Sequence, residues 1–216
     1  MQRIETTTRA AIRHFAWGVG DDNPLWMDED YAASSPAATL LAPPCILYAV
    51  DSTVVAPKLP GVQWIYAGTG WTWYDHIRVN DRFTVEASLT DQQVKSGRRF
   101  ARWVLQLGTV NYFNQHGQLV ARAEGRCART PRGEQLAAQK TSVSAAVRPP
   151  HRYQADELAE IERQVLGEVR RGSTARYWED VEVGEAVPPV VRGPLTVTDI
   201  LAWYSATQGA LHYGGA

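Results

Sequence analysis

Residues 100–127 read FARWVLQLGTVNYFNQHGQLVARAEGRC. Val104, Leu105, Leu107, Val110 and Tyr112 mark the stretch from Phe100 to Phe113 as a long strand. Asn114-Gln115-His116-Gly117 is a turn, and Leu119 to Cys127 is the return strand. Strands joined so tightly pair antiparallel. Upstream, Phe83-Thr84-Val85-Glu86-Ala87-Ser88-Leu89 alternates, and Val94-Lys95-Ser96-Gly97 links that strand to the next. Gln63 to Ile77, rich in Trp, Tyr, Thr and Ile, adds another strand. Before all of these, Cys45 to Val55 is apolar almost all round, which predicts a buried helix. Pro44 fits its first turn, and Pro57, Pro60 and Gly61 close it. One buried helix ahead of a run of antiparallel strands is α+β order, with the sheet wrapped on the helix.

The flanks fill in the rest. Ile4, Ala11, Ile12, Phe15, Ala16 and Val19 share one side of a predicted helix over about residues 4–19. Gly18, Gly20 and Asp21-Asp22-Asn23-Pro24 end it in a turn, and Asp28 is placed to cap a short helix through Ser34. From Arg129 to Arg152 the composition turns to Ala, Ser, Gln, Arg and Pro, a linker signal. Asp156 to Arg171 predicts an amphipathic helix with Leu158, Ile161, Val165 and Val169 as its stripe, ended by Gly172. A further helix opens at Thr196-Val197-Thr198-Asp199 and runs to Gln208-Gly209. In it Ile200, Trp203 and Ala206 echo Ile12, Phe15 and Gly18, a faint internal repeat. A lone helix cannot bury its own apolar face, so this one must cover something else or fray.

Composition excludes several functions. The chain has 216 residues, 44% hydrophobic and 21% charged, enough for a buried core. A net charge of −1 gives no footprint for nucleic acid. No run approaches the ~20 apolar residues of a membrane span, and the first residues lack the order of a signal peptide. Cys45 and Cys127 lack metal-ligand spacing and read as reduced thiols. The expected location is the cytoplasm, and neither cofactor nor metal is expected.

Several stretches together resemble the MaoC-like acyl-thioester hydratase/dehydratase family. Phe15-Ala16-Trp17-Gly18-Val19-Gly20-Asp21-Asp22-Asn23-Pro24-Leu25-Trp26, followed by Tyr31-Ala32, resembles its hydratase motif, in which Gly-Asp-x-Asn-Pro-Leu precedes a histidine. Leu41-Ala42-Pro43-Pro44 resembles the entry to the central helix in the FAS1-like dehydratase branch. Trp73-Tyr74-Asp75-His76-Ile77-Arg78-Val79-Asn80-Asp81 and Asn111-Tyr112-Phe113-Asn114-Gln115-His116-Gly117 are similar to that branch's strand-turn-strand and late hairpin. Trp178-Glu179-Asp180-Val181-Glu182-Val183-Gly184 resembles the opening of a second such domain. The resemblance implies a hot-dog fold over residues 1–130, a linker with helix over 131–175, and the start of a second repeat over 176–216.

It also implies water addition or removal on 2-enoyl or 3-hydroxyacyl thioesters of CoA or a carrier protein. The ligand would lie between this domain and another hot-dog unit, in a homo- or hetero-oligomer. Asp and His together hold the water in that family: imidazole can take and return a proton near neutrality, while the carboxylate orients. Here the histidine position is Trp26, and an indole offers an N–H donor but no base. The catalytic candidates are therefore Asp21 and Asn23, with His76, beside Asp75, as the substitute imidazole. The substrate-binding candidates are Trp26, Pro43, Pro44, Trp71 and Trp73. Three readings stay open. One is a substrate-binding half that lacks the catalytic His. The second is a non-catalytic acyl-CoA-binding or structural subunit, and the third, less favoured, is a thioesterase. Asp21 to Pro24 also reads as a plain helix-ending turn. Core packing competes with a tunnel wall for the aromatic face, and a solvated strand outranks phosphate binding for Arg98, Arg99 and Arg102.

Overall fold

The computed structural model describes residues 4–57, 59–97, 100–132, 151–169, 172 and 174–207. The chain divides into two compact units, residues 1–144 with 198–216, and residues 145–197.

The first unit is built on a four-stranded sheet of Val62–Trp73 (β1), Thr84–Lys95 (β2), Trp103–Phe113 (β3) and Leu119–Pro131 (β4). Its order is β1-β4-β3-β2, antiparallel throughout. The hairpin read at residues 100–127 is its centre. The turn forms because Gly117 takes a φ of 71° and because Asn114 Oδ1 accepts the backbone N–H groups of His116 and Gln118, each at 3.0 Å. β2 outruns the predicted strand, and Val94 and Lys95 belong to it rather than to a turn.

The core-facing side of the centre is graded in size. Tyr112, Val110, Gly108 and Gln106 on β3 face Ala121, Ala123, Gly125 and Cys127 on β4. Small side chains on β4 let other backbone approach the sheet closely. Ile46, Leu47, Ala49 and Val50 pack there with Ile12, Phe15, Val110, Tyr112 and Val120 in one core.

The central helix is shorter than predicted. A 3-10 turn at Pro44–Ile46 leads into Leu47–Val50 (α4), and Asp51 is already extended, with φ −153° and ψ 178°. Pro44 does sit in the first turn. Residues 53–55 do not continue the helix because they are β-branched and lie across the sheet. Thr53 and Val54 cover Gly125, and Val55 covers Gly108.

The first helix, Arg9–Gly18 (α1), also starts later than predicted. Thr6 bridges to Arg82, and Thr7 bonds Asp81 through its N–H (2.9 Å) and Arg78 O through its hydroxyl (2.7 Å). The chain is thus extended up to Thr8, whose hydroxyl caps the helix by accepting the Ala11 N–H. Ile12, Phe15 and Ala16 are buried from it. Pro24–Met27 (α2) and Glu29–Ser34 (α3) follow, α3 capped by Asp28 as expected.

β4 runs to Pro131, so Arg129 belongs to the sheet and not to a linker. Its guanidinium is buried, giving Nε to Gln106 Oε1 and Nη2 to Pro57 O, each at 2.5 Å. Residues 133–150 of the linker predicted from Arg129 to Arg152 lie outside the described residues. In the second unit, Ala155–Leu166 (α5) stops at Gly167, short of the predicted Gly172, because Gly167 weakly supports a helix interior and caps by donating to Arg163 O. Cys45 and Cys127 are free thiols.

The last helix, Val197–Ala206 (α6), packs on α1. Trp203 meets Phe15 edge to face, and Ala206 lies against Gly18, where a Cβ would have no room. Residues 208–216 lie outside the described residues.

Candidate functional site

The end of α1 fixes Asp21. Gly20 has a φ of 69° and donates to Trp17 O, and Asp21 N–H reaches back to Ala16 O at 2.9 Å. Those two bonds are a Schellman stop, which needs the left-handed residue that glycine supplies. Asp21 Oδ1 then accepts the Asn23 N–H (3.1 Å), and Asn23 Oδ1 accepts the Leu25 N–H (3.0 Å), capping α2 with Pro24 in its first turn. Both candidate catalytic side chains therefore serve the turn. Among the described residues, Asp21 Oδ2 has no hydrogen-bond partner.

Trp26 leaves this turn and packs against the core. Its indole N–H is buried and, among the described residues, makes no hydrogen bond. Next to it in space, Leu25 O accepts the Leu41 N–H, which ties α2 to the segment entering the central helix. Leu41 pairs with Arg78, and Ala42 N–H bonds Ile77 O. Pro43 is buried and Pro44 exposed. Burial pushes the Cys45 thiol above its ordinary value, with the Asp21 carboxylate adding to the rise.

β1 supplies an aromatic wall beside that helix. Trp71 and Trp73 share a face, stacked with centroids 5.4 Å apart and planes 13° apart. Trp71 Nε1 donates to Tyr48 Oη at 3.1 Å, and Trp73 Nε1 donates to Pro44 O at 3.4 Å. Tyr112 lies against Trp71 at 5.6 Å. Sequence reasoning missed Tyr48, whose only signal was a hydroxyl inside an otherwise apolar helix.

His76 is exposed at the end of this strand. The Asp75 carboxylate does not hold its ring: it grips the Arg78 guanidinium at 2.9 and 3.1 Å and accepts the His76 backbone N–H at 2.7 Å. Among the described residues no hydrogen bond joins the His76 ring to Asp21, Asn23 or Asp75. The structure thus brings Asp21, Asn23 and Trp26 into one turn, and Pro44 and Trp73 into contact, while His76 stands apart from the turn's hydrogen bonds. Arg102 is exposed, and Arg98 and Arg99 lie outside the described residues. A cavity of about 590 Å³ opens at Glu5, Thr6, Asn80, Arg82 and Phe83, and none of the candidate residues lines it. No group of metal-ligating side chains gathers among the described residues. No helix among them is long and apolar enough to cross a membrane.

Comparison with known proteins places this geometry. A solved MaoC-like dehydratase matches 97% of the chain and 65% of its own length at a TM-score of 0.60 and 16% identity. The structure described as a monoamine oxidase regulatory protein from Archaeoglobus fulgius matches 59% of the chain and 84% of its own length at 0.50 and 18%. Both share the fold. A UPF0336 protein from Streptomyces avermitilis is 29% identical over 96 residues, 41% of this chain and 62% of that protein, so the match spans under two thirds of its length. The hot-dog architecture expected from the sequence is the one found. The model for the FAS1-like, dehydratase domain region matches residues 2–123, more than half of the chain, and the chain belongs to that family.

Proposed function

We propose that this chain is the substrate-binding half of a hydratase or dehydratase acting on 2-enoyl or 3-hydroxyacyl thioesters, and that it lacks the imidazole that handles water. Membership of the dehydratase family supports the chemistry. The observation that carries the finer reading is the turn at residues 21–26. Asp21 is held in that turn by accepting the Asn23 N–H, while the position of the expected histidine holds a partly buried indole packed against the core. An aspartate alone is a weak base near neutrality. The His-bearing turn then belongs to another hot-dog unit, on this or a second chain. Contact between like positions of α1 and α6 supports α6 as the opening of such a unit. The thioester, on CoA or a carrier protein in the cytoplasm, would lie against Trp26, Pro44, Trp71 and Trp73.

A Trp26→His variant tests this. Mixed with crotonyl-CoA, it is expected to gain hydration that the native chain lacks. Binding of crotonyl-CoA by both proteins with turnover by neither would favour the non-catalytic reading instead.

A further inference from the structure

We propose that the outer face of Trp73 is a seat for a planar ring in the acyl group, so that the chain prefers ring-bearing over straight-chain acyl thioesters. This rests on the thioester reading above and names its substrate class. The two indoles form a short parallel stack with one closed and one open end. At the closed end Trp71 meets Tyr112, which is fully buried, and the edge of Tyr48 at 5.5 Å. At the open end Trp73 remains 44% exposed, although its indole N–H is tied to Pro44 O. Both indole planes are held by hydrogen bonds to the central helix and its first turn, so little order has to be gained on binding. A flexible alkyl chain draws only area burial from such a plane. A ring adds offset stacking.

The closed end is fixed further by a chain of hydroxyls behind Trp71: Tyr48 Oη lies 3.4 Å from Tyr66 Oη, Tyr66 donates to Thr69 at 2.8 Å, and Thr69 meets Thr53 at 3.0 Å.

Calorimetry of the full chain with cinnamoyl-CoA and trans-2-hexenoyl-CoA tests the proposal. Cinnamoyl-CoA is expected to bind roughly threefold to tenfold tighter, the worth of one aromatic pair. The preference should fall to parity in Trp73→Leu and persist in Trp73→Phe, which keeps a ring and guards against a folding artefact. Equal affinity in the native chain would overturn the ring seat and leave the thioester reading standing. Binding of neither ligand would remove both. A change in oligomer mass in Trp73→Leu, read by light scattering, would make Trp73 an interface residue and also overturn the proposal.

Discussion

Phe15 and Trp203 meet edge to face, with ring centroids 6.2 Å apart and planes at 62°. They hold the same place in two helices whose pattern repeats, Ile12-Phe15-Gly18 in α1 and Ile200-Trp203-Ala206 in α6. The next matched pair, Gly18 and Ala206, touches as well. Gly18 is what allows the helices this close, since its added Cβ would coincide with Ala206. Gly18→Leu is expected to lift α6 and cost about 1–3 kcal/mol by overpacking. Hydrogen exchange should rise across residues 198–206 and stay unchanged in β3 and β4. Unaltered protection in α6 would contradict the pairing.

A second close approach holds the central helix in place. Gly108 and Gly125 face each other across β3 and β4, and the segment after the helix lies over both. A Cβ at Gly125 would come within 2.8 Å of Val54 Cγ1, and one at Gly108 within 2.6 Å of Val55 Cγ2. Gly125→Val is expected to destabilise by about 1–3 kcal/mol, read as a lower midpoint in urea. Gly70→Ala is the control: its Cβ would meet Glu124 at ordinary contact distance, 3.8 Å, and the midpoint should hardly move.

These glycines explain much of what the sequence concealed. The hairpin at residues 100–127, the Asp28 cap and the apolar face of α1 were legible, because local chemistry decides them: Asn114 and Gly117 make the turn whatever lies beyond it. The length of the central helix was not legible. Thr53, Val54 and Val55 look like a continuation of Cys45–Val50, and only the glycine floor of β3 and β4, far along the chain, draws them out of the helix. Thr6 and Thr7 likewise read as helix until their bonds to residues 78–82 are known. At the site, the motif gave Asp21, Asn23 and Trp26 by position. It could not show that Asp75 prefers the Arg78 guanidinium to the His76 ring, a choice made in three dimensions.

The electrostatic link between Asp21 and Cys45 can be measured by thiol chemistry. Burial, with help from the Asp21 carboxylate, raises the Cys45 pKa, so the thiol is protonated near neutrality and a poor nucleophile. Alkylation of Cys45 by iodoacetamide at pH 8 is expected to be slower than that of an unfolded peptide. Asp21→Asn should speed it modestly, because it removes the smaller of the two raising causes. No change on that substitution would separate Asp21 from the start of the central helix.

Asp75 contributes to the acid limb of stability. The Arg78 guanidinium lowers its pKa, so folding favours the charged carboxylate. Its contribution is present above the ordinary carboxylate value of about 4 and is lost as pH falls through the lower folded value. The side chain is 38% exposed, so screening keeps the effect small. Asp75→Asn should therefore narrow the fall in melting temperature between about pH 4 and pH 2, with little change at pH 7. An unchanged acid limb would contradict the pairing.

The most direct test of a thioester-binding half without its own water chemistry is a titration of the native full chain with crotonyl-CoA, followed by chromatography of the mixture for 3-hydroxybutyryl-CoA. Saturable binding that weakens in Trp71→Ala, with no hydrated product over hours, is the predicted result. Absence of binding, or steady formation of hydrated product by the native chain alone, would contradict it.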